Sequence, residues 1–435
     1  MTEQYVADFK AFAGNGAGGA PAWLRKIREG AIARFAELGF PTTKQEEWRF
    51  TSVAPIKETR FALAHAAGAQ PPSVAAIEPL LVCPPGSPRM VFVDGRYAPE
   101  LSSVGGLPRG VHAGSLAVAL TSGRNGELAR QHLTRHARWH ESAFAALNTA
   151  FLADGAFVHV AAHTILEQPL ELLFVATGGR QPTVSHPRSL IVVERDAQAA
   201  VVEGYAALTD DVYWTNGVTE AVVGEGARVE YYRVQREGRR AYHVATTQSR
   251  QERDSFFGLH AVTLGGALAR HDVLTALDGA GAELILNGLY VLRDSQHADH
   301  HTVIEHARPH CASHEFFNGV LDQRAHGVFN GRIIVRPGAQ RTDSKQTNNN
   351  LLLSTDARAD SQPQLEIYAD DVKCTHGSTV GPIDQTALYY LRSRGLSPEM
   401  AQSLLTYGFA AEILGRMGRA DVRDRLDPLV RAALA

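Results

Sequence analysis

The sequence predicts a mainly β protein, a solenoid of stacked rungs set between helical ends, and three observations carry that expectation. From about Gly155 short β-rich runs follow one another for over two hundred residues, among them Phe157-Val158-His159-Val160, Leu190-Ile191-Val192-Val193 and Val229-Glu230-Tyr231-Tyr232-Arg233-Val234. They are too short for helices and rich in β-branched and aromatic residues. A small-residue turn recurs ahead of many of them, at Asp196-Ala197, Gly226-Ala227, Gly266-Ala267, Gly281-Ala282, Gly338-Ala339 and Asp356-Ala357, at intervals near fifteen residues or a multiple of it. Stacked rungs need one turn per corner and lengthen without changing their core. A two-sheet sandwich is the structural alternative. The third observation is length: 435 residues exceed a usual single core, and an elongated repeat lets one core grow lengthwise.

The flanks read differently. Pro21 to Phe40 places Trp23, Ile27, Ile32, Phe35 and Leu38 at near-helical spacing and is stopped by Gly39 and Pro41. Gly14 to Gly19 ahead of it reads as a flexible link. A phosphate-cradling loop would follow a strand, and here a helical pattern precedes the glycines. Met90 to Tyr97 predicts a hairpin turning at Asp94-Gly95, and helical patterns return around Leu116 to Leu152. At the far end Asp384 caps a helix through Tyr390, and Ser397-Pro398-Glu399 opens another with a cap, a first-turn proline and an acidic residue. Three regions result: residues 1–154 mainly helical with a small hairpin, 155–383 solenoid, 384–435 helical. On the last long helix Leu405, Phe409, Ile413 and Met417 form a row at spacing four, with Gly408 beside them. That row either packs on the chain's own β region or docks a partner.

Bulk composition excludes several functions. With 44% hydrophobic and 20% charged residues and a net charge of -3, the chain is ordinary globular material without a basic field for nucleic acid or an anionic membrane. No segment reaches the roughly 20 uninterrupted apolar residues of a membrane span, and Met1-Thr2-Glu3-Gln4 does not read as a secretory signal. The expected compartment is the cytoplasm. Cys83, Cys311 and Cys374 are an odd, scattered set that argues against a disulfide framework. No Gly-x-x-x-x-Gly-Lys-Ser/Thr loop, Gly-x-Ser-x-Gly elbow or Cys-x-x-Cys pair is present, so ATP hydrolysis, serine acyl transfer and dithiol chemistry lack their usual apparatus.

Two stretches carry ligand-type side chains. In Leu365 to Gly377, an extended backbone puts Cys374 and His376 on one face about 7 Å apart. Both types bind iron or clusters, and Lys373 beside them is placed to favour the thiolate. Two ligands do not complete a site; the plainer reading is an inert cysteine beside a surface histidine. The second stretch holds His297, His300, His301, His306, His310, Cys311 and His314. Its spacing fits no zinc template, and alternation divides it between two faces, so a hydrogen-bonded ladder with Asp299 and Glu305 as partners is favoured over a metal site.

The segments Phe329-Asn330-Gly331-Arg332, Thr347-Asn348-Asn349-Asn350-Leu351-Leu352-Leu353 and Pro363 through Gly377 closely resemble the SufB/SufD family of iron–sulfur cluster assembly scaffolds. The likeness continues through Thr379-Val380-Gly381, Tyr390 to Gly395 and Gly408-Phe409, with an N-terminal echo at Pro41-Thr42-Thr43-Lys44-Gln45-Glu46-Glu47-Trp48-Arg49. Ser378 stands where alanine is more usual. SufB-type members carry a cluster-building cysteine before the motif, whereas Gln346 to Asp371 has none, so the resemblance is to the SufD type. It implies a right-handed parallel β-helix, pairing with SufB through the β-helix, and binding of the ATPase SufC by the C-terminal helices at Leu405, Gly408, Phe409 and Ile413. It further implies a non-catalytic scaffold with a transient cluster at the SufB interface. His376 would help hold that cluster, with Cys374 in a supporting role and no tightly bound cofactor on the isolated chain. An independent histidine-rich metal protein, a purely structural solenoid and a self-pairing homodimer are the competing expectations.

Overall fold

The computed structural model describes residues 2–15, 20–64 and 71–435, so Gly16 to Gly19 of the expected link lie outside the described residues. Two mostly parallel sheets of 11 and 10 strands form its centre, and from Arg188 to Gly381 consecutive strands alternate between them. In the larger sheet His297 sits beside Leu268 on one side and His326 on the other, 29 residues further on. One rung is thus two strands and two corners, and the interval near fifteen is half a rung. The solenoid makes about 8 turns. Its two sheets stack face to face as in a sandwich; the rung-to-rung connection is what separates it from one.

The corners explain the small-residue cadence. Asp196 (φ 53), Gly226 (φ 65), Asp254 (φ 53) and Gly281 (φ 73) take left-handed conformations that glycine and aspartate tolerate. The next residues, Ala197, Ala227, Ser255 and Ala282, are buried in a column too narrow for larger side chains. Cys311 continues that column, and its thiol donates to the Gly279 carbonyl at 3.3 Å. Between the corners, inward residues of both sheets interlock: Val201, Tyr231, Leu259 and Leu286 from one, Ile191, Val273, Ile304 and Ile333 from the other. Each such side chain taken out of water contributes roughly 1.5–3 kcal/mol, and the ladder repeats that gain at every rung.

The first end of the solenoid is sealed. The hairpin Arg89–Val93/Arg96–Tyr97, with Asp94 (φ 50) and Gly95 (φ 81) at its turn, closes the 10-stranded sheet. Val111–Ser115, antiparallel to Ala156–Val160, closes the other. Helices Thr2–Asn15, Ala22–Leu38 and Ala143–Ala150 bring Tyr5, Phe35, Phe40 and Phe144 onto Trp214 on the outer face of the 11-stranded sheet. A buried ion pair fixes this layer: Arg188 Nη2 lies 2.8 Å from Glu220 Oε1, and Glu220 also accepts from the backbone N–H groups of Thr134 (2.7 Å) and Ala137 (2.9 Å). On the opposite outer face, helices Pro398–Gly415 and Ala420–Leu434 pack against Tyr232, Val262, Leu289 and Val320. Asp384 and Ser397 cap their helices as expected, accepting from Thr386 and Met400 N–H respectively.

Candidate functional site: the open last rung

Among the described residues the second end has no comparable seal. Arg358–Ile367 is the terminal strand of the 11-stranded sheet and Val372–Gly381 that of the 10-stranded sheet. On the neighbouring strand Thr342–Leu352, the inward column Ser344, Gln346, Asn348 and Asn350 is buried while Asp343 and Lys345 face solvent. Register sets Cys374 beside Ser344 and His376 beside Gln346, so both lie on the inward-facing column of a rung that no strand covers among the described residues. The expected pairing of Cys374 with His376 on one face therefore holds. His376 is exposed, and among the described residues no hydrogen bond or ion pair engages it.

Cys374 is half-buried against the solenoid core. Burial, followed by the charge of Asp343, pushes its thiol pKa up. The expectation that Lys373 favours the thiolate is corrected: Lys373 stands in register with Asp343, one residue round the strand, and the thiol is the stable form. A polar ladder runs inward beneath the pair. Ser344 Oγ lies 2.8 Å from Ser313 Oγ, itself 2.8 Å from His306 Nε2. Gln346 Nε2 donates to Glu315 at 2.6 Å, and burial pushes the pKa of Glu315 up to about 7.

The histidine run divides between faces as its alternation predicts. His300 and His306 point into the core, while His297 and His301 face outward beneath the N-terminal segment, His301 contacting Glu47 at 3.3 Å and Asp299 at 3.0 Å. His310 (φ 63) occupies a turn and His314 is exposed 3.9 Å from Asp343. Asp299 serves as a ladder partner; Glu305 instead pairs with Arg138 and Arg336. Among the described residues no group of three or more histidine, cysteine, aspartate or glutamate side chains is arranged to hold a metal ion.

Comparison with known proteins matches residues 174–409 to the family described as SUF system FeS cluster assembly, SufBD core domain, and residues 1–172 to the SufBD protein N-terminal region. The chain belongs to the SufBD family. An iron–sulfur cluster assembly SufBD family protein of Synechocystis is 35% identical over 92% of this chain and 88% of its own length. The iron–sulfur cluster assembly protein SufD of Escherichia coli is 31% identical over 88% and 86% respectively, and that of Bacillus subtilis 26% identical over 93% of each. Both SufBD regions are thus present, and the fold expected from the family resemblance, mainly β with a parallel solenoid and helical ends, is the one observed.

In this SufBD chain the C-terminal helices resolve the row at spacing four. Ile413 (0% exposed) and Met417 (5%) are buried on the solenoid, and Leu405 and Phe409 are half-buried. Ile413 is therefore corrected out of any docking surface; its methyl groups belong to the chain's own core. The outward row is the neighbouring one, Met400 (60%), Leu404 (51%) and Gly408, where a Cβ would meet nothing within 4 Å. Tyr389 (73%) and Tyr390 (57%) on the helix Gln385–Ser393 are likewise exposed. Sequence reading missed these four side chains. Their signal was a second row at spacing four, ahead of the more hydrophobic one, and two adjacent tyrosines on a short helix. No helix among the described residues is long and apolar enough to cross a membrane.

Proposed function

We propose that this chain is the SufD-type scaffold of a cytoplasmic SUF assembly complex, pairing through its last rung with a SufB-type subunit. The observation that carries the reading is the asymmetry of the solenoid's ends. One is closed by antiparallel strands, while the other presents two terminal strands with the exposed apolar residues Ile367, Tyr368 and Val380. Unpaired strand edges and an uncovered interior column are liabilities that a stable protein covers, and a second solenoid end of matching rung geometry is the natural cover. The same end also suits a second copy of this chain, which intact mass distinguishes.

On this reading the iron–sulfur cluster is cargo, built where the two chains meet. His376 supplies an imidazole nitrogen to iron, and the partner supplies the further thiolate and carboxylate ligands that complete the site. Cys374 lies beside it as a thiol, and binding of iron would displace its proton. The chain itself catalyses no step. Met400, Leu404, Gly408, Tyr389 and Tyr390, with the half-buried Leu405 and Phe409 at the margin, form the surface offered to a SufC-type ATPase. Closure of two ATPase subunits would strain the paired last rungs and gate access to His376.

Co-expression with the SufB- and SufC-type proteins of the same cell, followed by intact-mass measurement, tests the partners; failure of the three chains to co-purify ends the proposal. In the assembled complex His376→Ala is expected to leave assembly and ATP hydrolysis intact while cluster output falls. Undiminished cluster output would remove the histidine's role.

A further inference from the structure

Away from the last-rung column, on the outward face of the 11-stranded sheet, His297 opens the strand His297–His306 and His326 opens its neighbour His326–Val335, in register. Their Nδ1 atoms lie 3.1 Å apart. The proton on each ring is assigned by what the other nitrogen touches. His326 Nε2 lies 2.7 Å from Asp360 Oδ2, and Arg358 Nε, 2.8 Å from that same oxygen, holds the group as a carboxylate. A carboxylate only accepts, so His326 carries its proton on Nε2. His297 Nε2 lies 2.8 Å from Thr51 Oγ1, whose own hydroxyl proton goes to Asp299 Oδ2 at 2.5 Å. Asp299 is held as an acceptor by Arg270 Nη1 at 2.7 Å, so Thr51 receives from His297, and that ring too is protonated on Nε2. With both rings neutral, each Nδ1 is left with a lone pair, and the two face each other across hydrogen-bonding distance, a gap that either a shared proton or a cation fills.

We propose that the Nδ1 atoms of His297 and His326 form a binding site for one divalent transition-metal ion of the zinc or iron(II) kind, with solvent completing its coordination. The ring geometry supports convergence on a common point. A straight N–H···N bond of this length would hold the two ring centres about 5.4 Å apart. Two imidazoles meeting at nearly a right angle on an ion about 2.0–2.1 Å from each nitrogen would bring the centres to about 4.7 Å. The observed separation is 4.7 Å, shorter than a straight bond gives. The outer contacts are also those of a metal site: a ligating histidine habitually donates its other N–H to a carboxylate, as His326 does to Asp360. Borderline ions accept imidazole readily, and the side chain of His326 is 24% exposed, which leaves an entry path. All its protein groups belong to this chain, but Asp360 lies on the terminal strand Arg358–Ile367, so the site is tested on the unpaired chain.

The test uses the full chain stripped with a chelator, titrated with Zn²⁺ against a chromophoric competitor and separately with Co²⁺ followed by its visible absorption. Wild type is expected to take up one more ion per chain than His326→Gln, which controls for other surface histidines such as His132 and His136. Asp360→Asn, a milder change that preserves shape, is expected to weaken that ion by about tenfold or more. His376→Ala and Cys374→Ser are expected to leave it unchanged, which separates this site from the last rung. Equal Zn²⁺ uptake by wild type and His326→Gln would overturn the proposal and leave a shared proton as the occupant. Full-affinity binding by Asp360→Asn would overturn the assigned role of the carboxylate.

Discussion

Replacing Glu315 with glutamine isolates the energetic cost of a carboxyl group sealed in the solenoid. Glu315 sits on the inward column one strand below Gln346, whose Nε2 donates to it at 2.6 Å. Burial disfavours the carboxylate and raises the pKa from 4.5 to about 7. A group whose folded pKa is raised contributes stability that is complete below its unfolded value and is lost as pH rises through the folded one. At about 1.36 kcal/mol per unit, the full penalty above pH 7 is about 3 kcal/mol. Between pH 5 and pH 8 the wild type should lose roughly 2–3 kcal/mol that the glutamine variant keeps. Glutamine has the same shape and still accepts from Gln346, so packing is preserved. Guanidinium unfolding of both proteins at four pH values, compared as a difference, cancels every other titrating group. Curves that run parallel from pH 5 to pH 8 would refute the reasoning and show that Glu315 titrates as an ordinary carboxyl.

Three further outcomes are expected. Glu220→Ala strands Arg188 as an uncompensated buried charge and removes the acceptor for two backbone N–H groups, so it should destabilise by about 3–5 kcal/mol in denaturant unfolding; a loss below about 1 kcal/mol would contradict it. Burial works against a charged His301, but Asp299 and Glu47 outweigh it and hold its pKa above the ordinary value. His301→Gln should therefore cost more stability at pH 6 than at pH 8.5, and a larger cost at the higher pH would reverse the sign of that argument. In native alkylation only Cys374 should react, and more slowly than a free thiol, because Cys83 and Cys311 are buried and the Cys374 thiol is raised. Asp343→Asn should quicken that reaction, as read by mass spectrometry.

What the sequence made legible was local chemistry repeated at intervals. Corners need Asp or Gly followed by a small residue, so Ala197, Ala227 and Ala282 announce the rungs, and Asp94-Gly95, Asp384 and Ser397 announce their turn and caps. Alternation likewise foretold that the histidine run would split between faces. Rung register was not legible, because strands half a rung apart in sequence enter different sheets and the pairing partner lies a full rung away. That is why Lys373 looked like the electrostatic neighbour of Cys374 when burial, followed by the charge of Asp343, raises the thiol. It is also why His297 was grouped with His300 and His301 when its closest imidazole is His326. Ile413 was misjudged for a related reason: two rows at spacing four share the helix Pro398–Gly415, and only the sheet beneath decides which one it covers.

The unequal closure of the solenoid also limits how far association can go. Fibril growth by rung addition requires each unit to offer a matching parallel rung at both extremities, and here the first rung ends in antiparallel strands that break that register. Joining through the remaining extremity consumes the one matching parallel rung among the described residues, so end-to-end stacking of rungs stops at a pair.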